Sequence, residues 1–119
     1  MLTIYHNPRC SKSREALALV EQFASNQGLP VEIIEYLKTP PTIAQLLTLH
    51  RQLGGTVRDM VRSNEDEYAE LDLGNADDTG LLAAMTVNPK LLQRPIVVYK
   101  DRAAIGRPPE VLIDFLKSE

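Results

Sequence analysis

A strand that passes directly into a helix is predicted by the N-terminal stretch Leu2-Thr3-Ile4-Tyr5-His6-Asn7-Pro8-Arg9-Cys10-Ser11-Lys12-Ser13. Its first four residues are mostly apolar, β-branched or aromatic, which is typical of a strand, and Asn7-Pro8 marks the end of that strand. From about Ser13 to Gln27, apolar residues recur at helical spacing. Cys10 is therefore predicted at the N-terminal end of the first helix.

Cys10 is the one cysteine of this 119-residue chain, and its setting favours a thiolate. A helix N-terminus presents unpaired backbone N–H groups and the positive end of the helix dipole. Arg9, Lys12 and Arg14 add positive charge, and His6 is a further candidate. Such surroundings lower the pKa of a thiol. Because the flanking residues are polar, we interpret Cys10 as a reactive nucleophile rather than as a buried structural cysteine.

The composition is that of one soluble globular domain, with 44% hydrophobic residues, 24% charged residues and a net charge of −3. No apolar run reaches the roughly 20 residues that a membrane helix needs, and no signal-peptide pattern is present. A single cysteine forms no internal disulfide, which favours a cytoplasmic location. Mild acidity argues against nucleic-acid binding, and one cysteine with two histidines is too few for a metal site. We expect a monomer without a bound metal or cofactor.

The first half of the chain continues with a second strand and a helix. Gly28 and Pro30 mark the end of the first helix, and Val31–Tyr36 predicts a strand. Thr42 with Gln45 forms a capping-box pattern that opens the next helix, which Gly54-Gly55 closes. The shorter helices predicted after it are Val57–Arg62, Glu65–Leu71 and Leu81–Met85, the last capped by Asp78.

Two strands and a helix are predicted at the end of the chain. Ile96–Tyr99 and Ala103–Ile105 are the strands, with a turn at Lys100–Arg102 between them. The last helix buries an apolar face made by Val111, Leu112, Phe115 and Leu116. The order is β-α-β, a helical insert at about 42–88, then β-β-α. We expect one α/β domain over residues 1–119, in which the two chain ends share the core.

This order, with a cysteine at the first strand–helix junction, resembles the thioredoxin-like fold, which implies a four-stranded mixed sheet with a helical insertion. In detail the chain resembles a short member of the glutaredoxin-dependent arsenate reductase (ArsC) family. The motifs that carry this resemblance are Ile4-Tyr5-His6-Asn7-Pro8-x-Cys10, Val57-Arg58 with Arg62, Gln93-Arg94-Pro95-Ile96-Val97, and Gly106-Arg107-Pro108.

The resemblance implies a set of site residues. Cys10 corresponds to the nucleophile, Arg58, Arg94 and Arg107 correspond to the ligands of an oxyanion, and Pro95 corresponds to a cis proline. It also implies reduction of arsenate to arsenite in arsenic detoxification, with glutathione as cosubstrate and glutaredoxin as protein partner.

His6 and Ser13 are predicted to support Cys10, and two roles are open for each. His6 either tunes the thiol electrostatically or is a structural histidine. Ser13 either donates a hydrogen bond to the thiolate or oxyanion, or caps the first helix, which is the role we expect. Ser13 also stands where a dithiol oxidoreductase has its second cysteine, so the electrons must come from an external thiol.

Two alternative functions remain open. Ser11-Lys12 replaces the Gly-Thr that many arsenate reductases of this family carry after the cysteine, which motivates a glutathione-linked oxidoreductase of another oxyanion or of a mixed disulfide. The other alternative is a transcription-linked adaptor of the Spx type, which shares this fold and binds RNA polymerase. Such adaptors usually have a Cys-x-x-Cys switch, which this chain lacks.

Overall fold

The computed structural model describes residues 1–117, and the chain divides into two compact units. Met1–Tyr36 and the chain from Arg94 onward form the first unit, and Leu37–Gln93 forms the second. The predicted insert therefore has wider bounds than 42–88 and is a compact unit in its own right. That both units make one domain stays a prediction.

The first unit contains a four-stranded mixed sheet in the order β2-β1-β3-β4. Its strands are β1 (Leu2–His6), β2 (Val31–Glu35), β3 (Ile96–Tyr99) and β4 (Arg102–Ile105). β1 pairs parallel with β2 and antiparallel with β3, and β3 pairs antiparallel with β4. The predicted sheet and the thioredoxin-like order of its elements are confirmed.

Helices α1 (Ser11–Gln27) and α5 (Val111–Lys117) complete the first unit and contact each other. Buried apolar residues from both chain ends form one cluster, as predicted. Its members are Leu2, Ile4, Ala16, Val20, Ala24, Val97, Leu112 and Leu116. α1 ends at Gly28, whose φ of 67° is in the left-handed region that glycine adopts without strain.

One edge of the sheet collects the loops that carry the predicted site residues. β1 ends at this edge and leads through Cys10 into α1. Because β3 runs antiparallel to β1, with Ile96 opposite Tyr5, the start of β3 and the preceding Arg94 lie at the same edge. β4 ends there as well, and its loop to α5 carries Arg107. The topology therefore brings three distant segments of the first unit together.

The second unit is helical, with α2 (Ile43–Leu53), α3 (Asp66–Glu70) and α4 (Asp78–Val87). Three short 3₁₀ helices accompany them, at Val57–Met60, Leu73–Asn75 and Pro89–Leu91. α4 contacts α2 and the first and last of these 3₁₀ helices, and it buries Leu81, Leu82 and Met85. None of the helices within residues 1–117 is long and apolar enough to span a lipid bilayer.

The capping box predicted for α2 is confirmed. The Thr42 hydroxyl oxygen accepts from the Gln45 N–H at 3.1 Å, and the Gln45 side-chain oxygen accepts from the Thr42 N–H at 2.8 Å. α4, in contrast, is capped by Asp77 and not by the predicted Asp78. Asp77 is the residue with extended backbone, so its carboxylate reaches the Gly80 N–H at 2.9 Å.

The helix predicted over Val57–Arg62 is a shorter 3₁₀ helix, Val57–Met60. Thr56 and Asp59 exchange side-chain hydrogen bonds with each other's backbone N–H groups and so close a tight turn. Val61 then takes extended backbone and pairs with Leu92, which prevents the helix from continuing.

We expect Gly106→Ala to destabilise the first unit next to the candidate site. An added Cβ would lie 2.9 Å from Leu112 Cδ1 and 3.1 Å from Pro95 Cγ. Overpacking of this kind costs about 1–3 kcal/mol in free energy of unfolding, which urea denaturation would measure. Gly74→Ala is the matched control, since the nearest atom to its added Cβ, Tyr68 Cε1, would be 4.0 Å away. Equal stability of both variants would contradict the expectation.

We expect Thr42→Ala to lower the free energy of unfolding by about 1 kcal/mol, because it removes the acceptor for the Gln45 N–H. Thr48→Ala in the same helix is the control, since Thr48 is exposed and lies inside α2, where alanine is the better helix former. Thermal melts followed by circular dichroism compare the two. If Thr42→Ala and Thr48→Ala melt at the same temperature, the capping box of α2 does not contribute to the stability of the protein.

Candidate active site

Cys10 lies where the sequence predicted it, at the N-cap of α1. Its thiol is free and half-buried. The preceding loop is a hydrogen-bonded turn, in which the Cys10 N–H donates to the Asn7 carbonyl at 3.0 Å. The Arg9 N–H donates to the Asn7 side-chain oxygen, also at 3.0 Å. The sulfur is therefore presented by a defined turn.

The pKa of the Cys10 thiol lies below its ordinary value. Burial raises the pKa, but hydrogen bonds to the sulfur from the Ser13 N–H, the Arg94 side chain and the Lys12 N–H outweigh it, together with the positive charge of Arg94. All of these donors stabilise the thiolate, and the two N–H groups belong to the first turn of α1. The site therefore favours the anionic form of the sulfur relative to an ordinary thiol.

Among the side chains around Cys10, Arg94 contributes both a hydrogen bond and a positive charge to the sulfur. The Lys12 ammonium lies 3.7 Å from the Glu15 carboxylate, and Arg14 donates through Nη1 to the Pro8 carbonyl at 3.0 Å. Arg9, Lys12 and Arg14 extend from exposed positions, and their contribution of positive charge at Cys10 stays a prediction.

Arg94 lies two residues before β3, and its Nε is buried without a hydrogen-bond partner among residues 1–117. A buried N–H group without an acceptor is unfavourable, so this nitrogen is suited to an anionic ligand. The Arg94–Pro95 peptide bond is cis, as the resemblance implied. Pro95 is buried, and its carbonyl accepts from the Gly106 N–H at 2.8 Å, which ties the start of β3 to the end of β4.

Arg107 is exposed on the loop between β4 and α5. Its backbone N–H donates to the Ile105 carbonyl at 3.0 Å, and the Arg107–Pro108 bond is also cis. Within the described part of the chain, no partner holds its guanidinium group. The side chain is therefore available to a ligand at the same edge of the sheet as Cys10.

Arg58 lies in the second unit, where its guanidinium holds the chain around the second 3₁₀ helix. Its Nη1 donates to the Tyr68 hydroxyl at 2.8 Å and to the Leu73 carbonyl at 3.0 Å. Its Nη2 donates to the Ala76 carbonyl at 2.8 Å. These bonds could not be predicted from the sequence, because every residue has a backbone carbonyl and no residue pattern marks the ones that accept. Arg58 as an oxyanion ligand stays a prediction.

Arg62, which accompanied Arg58 in the motif, pairs with Glu65. The distance between Arg62 Nη1 and Glu65 Oε2 is 3.1 Å, and the Arg62 side chain is only 11% exposed. Its ionic partner is therefore a carboxylate of its own unit.

Ser13 does not cap α1, which corrects the role that we expected for it. Cys10 is the N-cap residue, and no side chain caps this helix. Ser13 is the third residue of α1, and its hydroxyl points back toward the loop between β1 and α1. There it accepts from the Asn7 N–H at 3.0 Å and lies 2.7 Å from His6 Nδ1.

His6 is buried at the end of β1, and it does not add positive charge to the site at neutral pH. Burial lowers the pKa of His6, and the attraction of Glu35 for the imidazolium does not compensate. The ring is therefore neutral near pH 7, which favours the structural alternative over direct electrostatic tuning.

The first unit thus combines a thiol of lowered pKa with an arginine that donates to its sulfur. A thiolate is a nucleophile, and a guanidinium group binds tetrahedral oxyanions through paired, charge-assisted hydrogen bonds. Residues 1–117 contain no group of three His, Cys, Asp or Glu side chains placed to hold a metal ion. The arrangement is suited to attack by sulfur on a small bound oxyanion.

Comparison with known proteins gives the family. The model of the ArsC family matches residues 5–115. An uncharacterised protein of Escherichia coli K12 is 45% identical over 116 residues, which cover 95% of this chain and 94% of that protein. An arsenate reductase of Neisseria meningitidis is 45% identical over 112 residues, or 92% of each chain. A solved arsenate reductase from Vibrio cholerae is 48% identical and superimposes with a TM-score of 0.85 over 95% of each chain. The resemblance is thereby confirmed, and the chain belongs to the ArsC family.

Proposed function

We propose that this protein reduces arsenate to arsenite, with Cys10 as nucleophile and with Arg94 and Arg107 as ligands of the oxyanion. The main support for this proposal is that Arg94 both contacts the sulfur and has a buried nitrogen without an acceptor. Its side chain donates to the Cys10 sulfur, while its buried Nε lacks an acceptor among the described residues. An arsenate oxygen next to the sulfur would supply that acceptor. The arsenate reductases among the relatives agree with this substrate.

In the first step the thiolate attacks arsenic. Arsenate is an anion at neutral pH and repels an anionic sulfur, so the guanidinium groups must neutralise part of its charge. A bond forms between Cys10 Sγ and arsenic, and one arsenate oxygen leaves as water after it takes up protons. Arg94 contacts the sulfur and is therefore placed to hold charge as it moves from sulfur to oxygen.

In the second step glutathione supplies the reducing electrons. Its thiol attacks the Cys10 sulfur, and the bond between sulfur and arsenic breaks with its electron pair on arsenic. Arsenic leaves as arsenite in the +3 state, and Cys10 remains in a mixed disulfide with glutathione. A glutaredoxin thiol then takes the glutathionyl group and frees Cys10.

External thiols are part of the proposal because Cys10 is the one cysteine of the chain. Two electrons reduce each arsenate, and a single thiol yields a disulfide only with a second, external thiol. Glutathione and glutaredoxin are thiols of the reducing cytoplasm, where we place this protein as a monomer. Arg58 as a third ligand rests on the resemblance alone. Three of its five N–H hydrogens are already donated within its own unit.

A second candidate function is a glutathione-linked oxidoreductase that acts on a mixed disulfide. The observation in its favour is that Arg58 is engaged within its own unit, since disulfide exchange needs the thiolate but not three arginines. Incubation with a glutathionylated model protein and glutaredoxin tests this function. Turnover of that substrate without turnover of arsenate would replace the first proposal by the second.

We expect the purified protein to turn over arsenate in an assay with glutathione, glutaredoxin and NADPH-linked recycling of glutathione. Cys10→Ser should abolish turnover, because it removes the nucleophile. Arg94→Ala should lower kcat/KM by about 10²–10³-fold, the loss typical of one transition-state donor.

Arg51→Ala is the matched control for this assay, since Arg51 is an exposed residue of α2. It should change kcat/KM by less than about twofold, as surface charges usually do. If wild-type turnover equals that of Cys10→Ser, the protein is not an arsenate reductase under these conditions.

We also expect Cys10 to react with iodoacetamide at pH values where ordinary thiols are protonated. Because its pKa is lowered, the alkylation rate should reach half its maximum at a lower pH than the rate of an ordinary thiol does, and reactivity should disappear as the pH falls through the folded-state pKa. Arg94→Ala should move the midpoint upward, because it removes a hydrogen bond and a positive charge from the sulfur. An unshifted midpoint would show that Arg94 does not stabilise the thiolate.

A further inference from the structure

A groove between α1 and the start of α5 adjoins the candidate active site, and the proposed reaction gives it no role. Its volume is about 440 Å³, which lies within the range of roughly 300–1,000 Å³ that small-ligand sites occupy. Both walls belong to the first unit. Its lining includes Lys12, Ala18 and Leu19 of α1, and Pro109, Glu110 and Ile113 from α5 and the loop before it.

The groove begins at the turn of α1 that holds the Cys10 sulfur. Lys12 comes two residues after Cys10, and its backbone N–H donates to the sulfur while its side chain lines the groove. On the facing side, Pro109 comes two residues after Arg107, which lies at the same edge of the sheet as Cys10. A molecule in this groove is therefore placed to reach the reacting sulfur, where the second step of the proposed reaction requires a thiol.

The walls of the groove carry charges of both signs. Lys12 lies on α1 and Glu110 lies on the facing side, and both residues are exposed. The Lys12 ammonium also lies 3.7 Å from the Glu15 carboxylate, but the side chains of that pair are 50% and 56% exposed. Exposed pairs of this kind contribute little free energy, so the ammonium can readily exchange Glu15 for the carboxylate of a ligand.

The rest of the groove is largely apolar. Leu19 is half-buried, Ile113 is 40% exposed, and Ala18 is a small residue at an exposed position. Such a surface suits a short aliphatic chain, because methylene groups are stabilised when they leave water. The groove is therefore complementary to a ligand with a carboxylate and an ammonium group at one end and methylene groups next to them.

We infer that this groove is the binding site for glutathione, with Lys12 and Glu110 holding its γ-glutamyl end and with its thiol directed toward Cys10. The γ-glutamyl end has a carboxylate and an ammonium group on one carbon, which match the ammonium of Lys12 and the carboxylate of Glu110. The methylene groups that follow pack on Leu19 and Ile113. This inference rests on the proposed function, because that function makes glutathione the source of the electrons.

Lys12 is a specificity-determining residue in this arrangement. It belongs to the Ser11-Lys12 pair that replaces the Gly-Thr of many arsenate reductases of this family. A threonine hydroxyl has no positive charge with which to hold a carboxylate, whereas the lysine ammonium has one. This chain should therefore discriminate strongly between glutathione and thiols that lack a γ-glutamyl end.

Binding of S-methylglutathione, followed by NMR titration of the ¹⁵N-labelled protein, tests this inference without any reaction, because the sulfur of this probe is blocked. Lys12→Gln and Glu110→Gln should each weaken binding about three- to fivefold, the effect of a partly exposed ion pair. Ala18→Trp should abolish binding, because it fills the groove from an exposed position. Lys100→Gln is the matched control and should leave the affinity unchanged, since this exposed lysine lies at the opposite edge of the sheet.

Two shorter probes identify the end of glutathione that the groove holds. S-methyl-γ-glutamylcysteine keeps the γ-glutamyl end and should bind about as tightly as S-methylglutathione. S-methylcysteinylglycine lacks that end and should bind about tenfold more weakly, since both ion pairs are lost. Lys12→Gln should not weaken its binding further, because the carboxylate that Lys12 holds is absent from this probe.

Three outcomes would overturn the inference. They are an unchanged affinity for S-methylglutathione in both Lys12→Gln and Glu110→Gln, tighter binding of S-methylcysteinylglycine than of S-methyl-γ-glutamylcysteine, and NMR shifts confined to residues outside the groove. Binding in the groove without turnover of arsenate would support the inference and refute only the proposed reduction of arsenate. Turnover of arsenate without binding in the groove would refute the inference alone.

Discussion

The contact between α1 and the central strand β1 is the constraint on which the site depends. α1 faces the sheet with small side chains, Ala16, Val20 and Ala24, all of them buried. Small residues let the helix lie close to the strand, and the short loop between them leaves the first turn of α1 little freedom. The N–H groups that hold the Cys10 sulfur belong to this turn. The chemistry of the thiol is thus fixed by packing several residues away from it.

The charge at the site follows from strand pairing rather than from local sequence. Arg94 is far from Cys10 along the chain, but β3 lies antiparallel beside β1, and this pairing places the start of β3 next to the end of β1. The basic residues beside Cys10 extend from exposed positions instead. Arg94 lies two residues before this central strand, and its Nε is buried, which limits the freedom of its guanidinium group. A donor held in this way loses little entropy when it binds an anion.

Features with a local cause were predictable from the sequence. Gly28 ends α1 because its left-handed backbone suits glycine, and Thr42 with Gln45 caps α2 because both partners lie within one turn. Hydrogen bonds between residues of different structural elements were not predicted from the sequence, and the distant site residues were predicted only through the family resemblance. The Ser13 hydroxyl bonds back across the loop to His6 and Asn7, and Arg58 donates to carbonyl groups. Carbonyl acceptors are present at every residue, so no residue pattern marks them.

Adjacent alternatives were also hard to separate by sequence. Asp77 and Asp78 both have the side chain of a good N-cap, and only the extended backbone of Asp77 distinguishes them. The bounds of the second unit were underestimated for a related reason. The segments left out, Leu37 to Pro41 and Pro89 to Gln93, contain turn-forming residues next to apolar ones. Hydrophobic periodicity does not show whether such segments belong to the sheet unit or to the helical unit.

The interruption of the first unit by the second has a consequence for synthesis on the ribosome. β1, α1 and β2 emerge first, and the whole of Leu37–Gln93 follows before β3 is made. Until then β1 lacks its antiparallel neighbour, and one row of its backbone N–H and C=O groups stays open to other chains. The nascent protein thus carries an unpaired sheet edge for most of its translation, and this is the interval in which it is most exposed to misassembly.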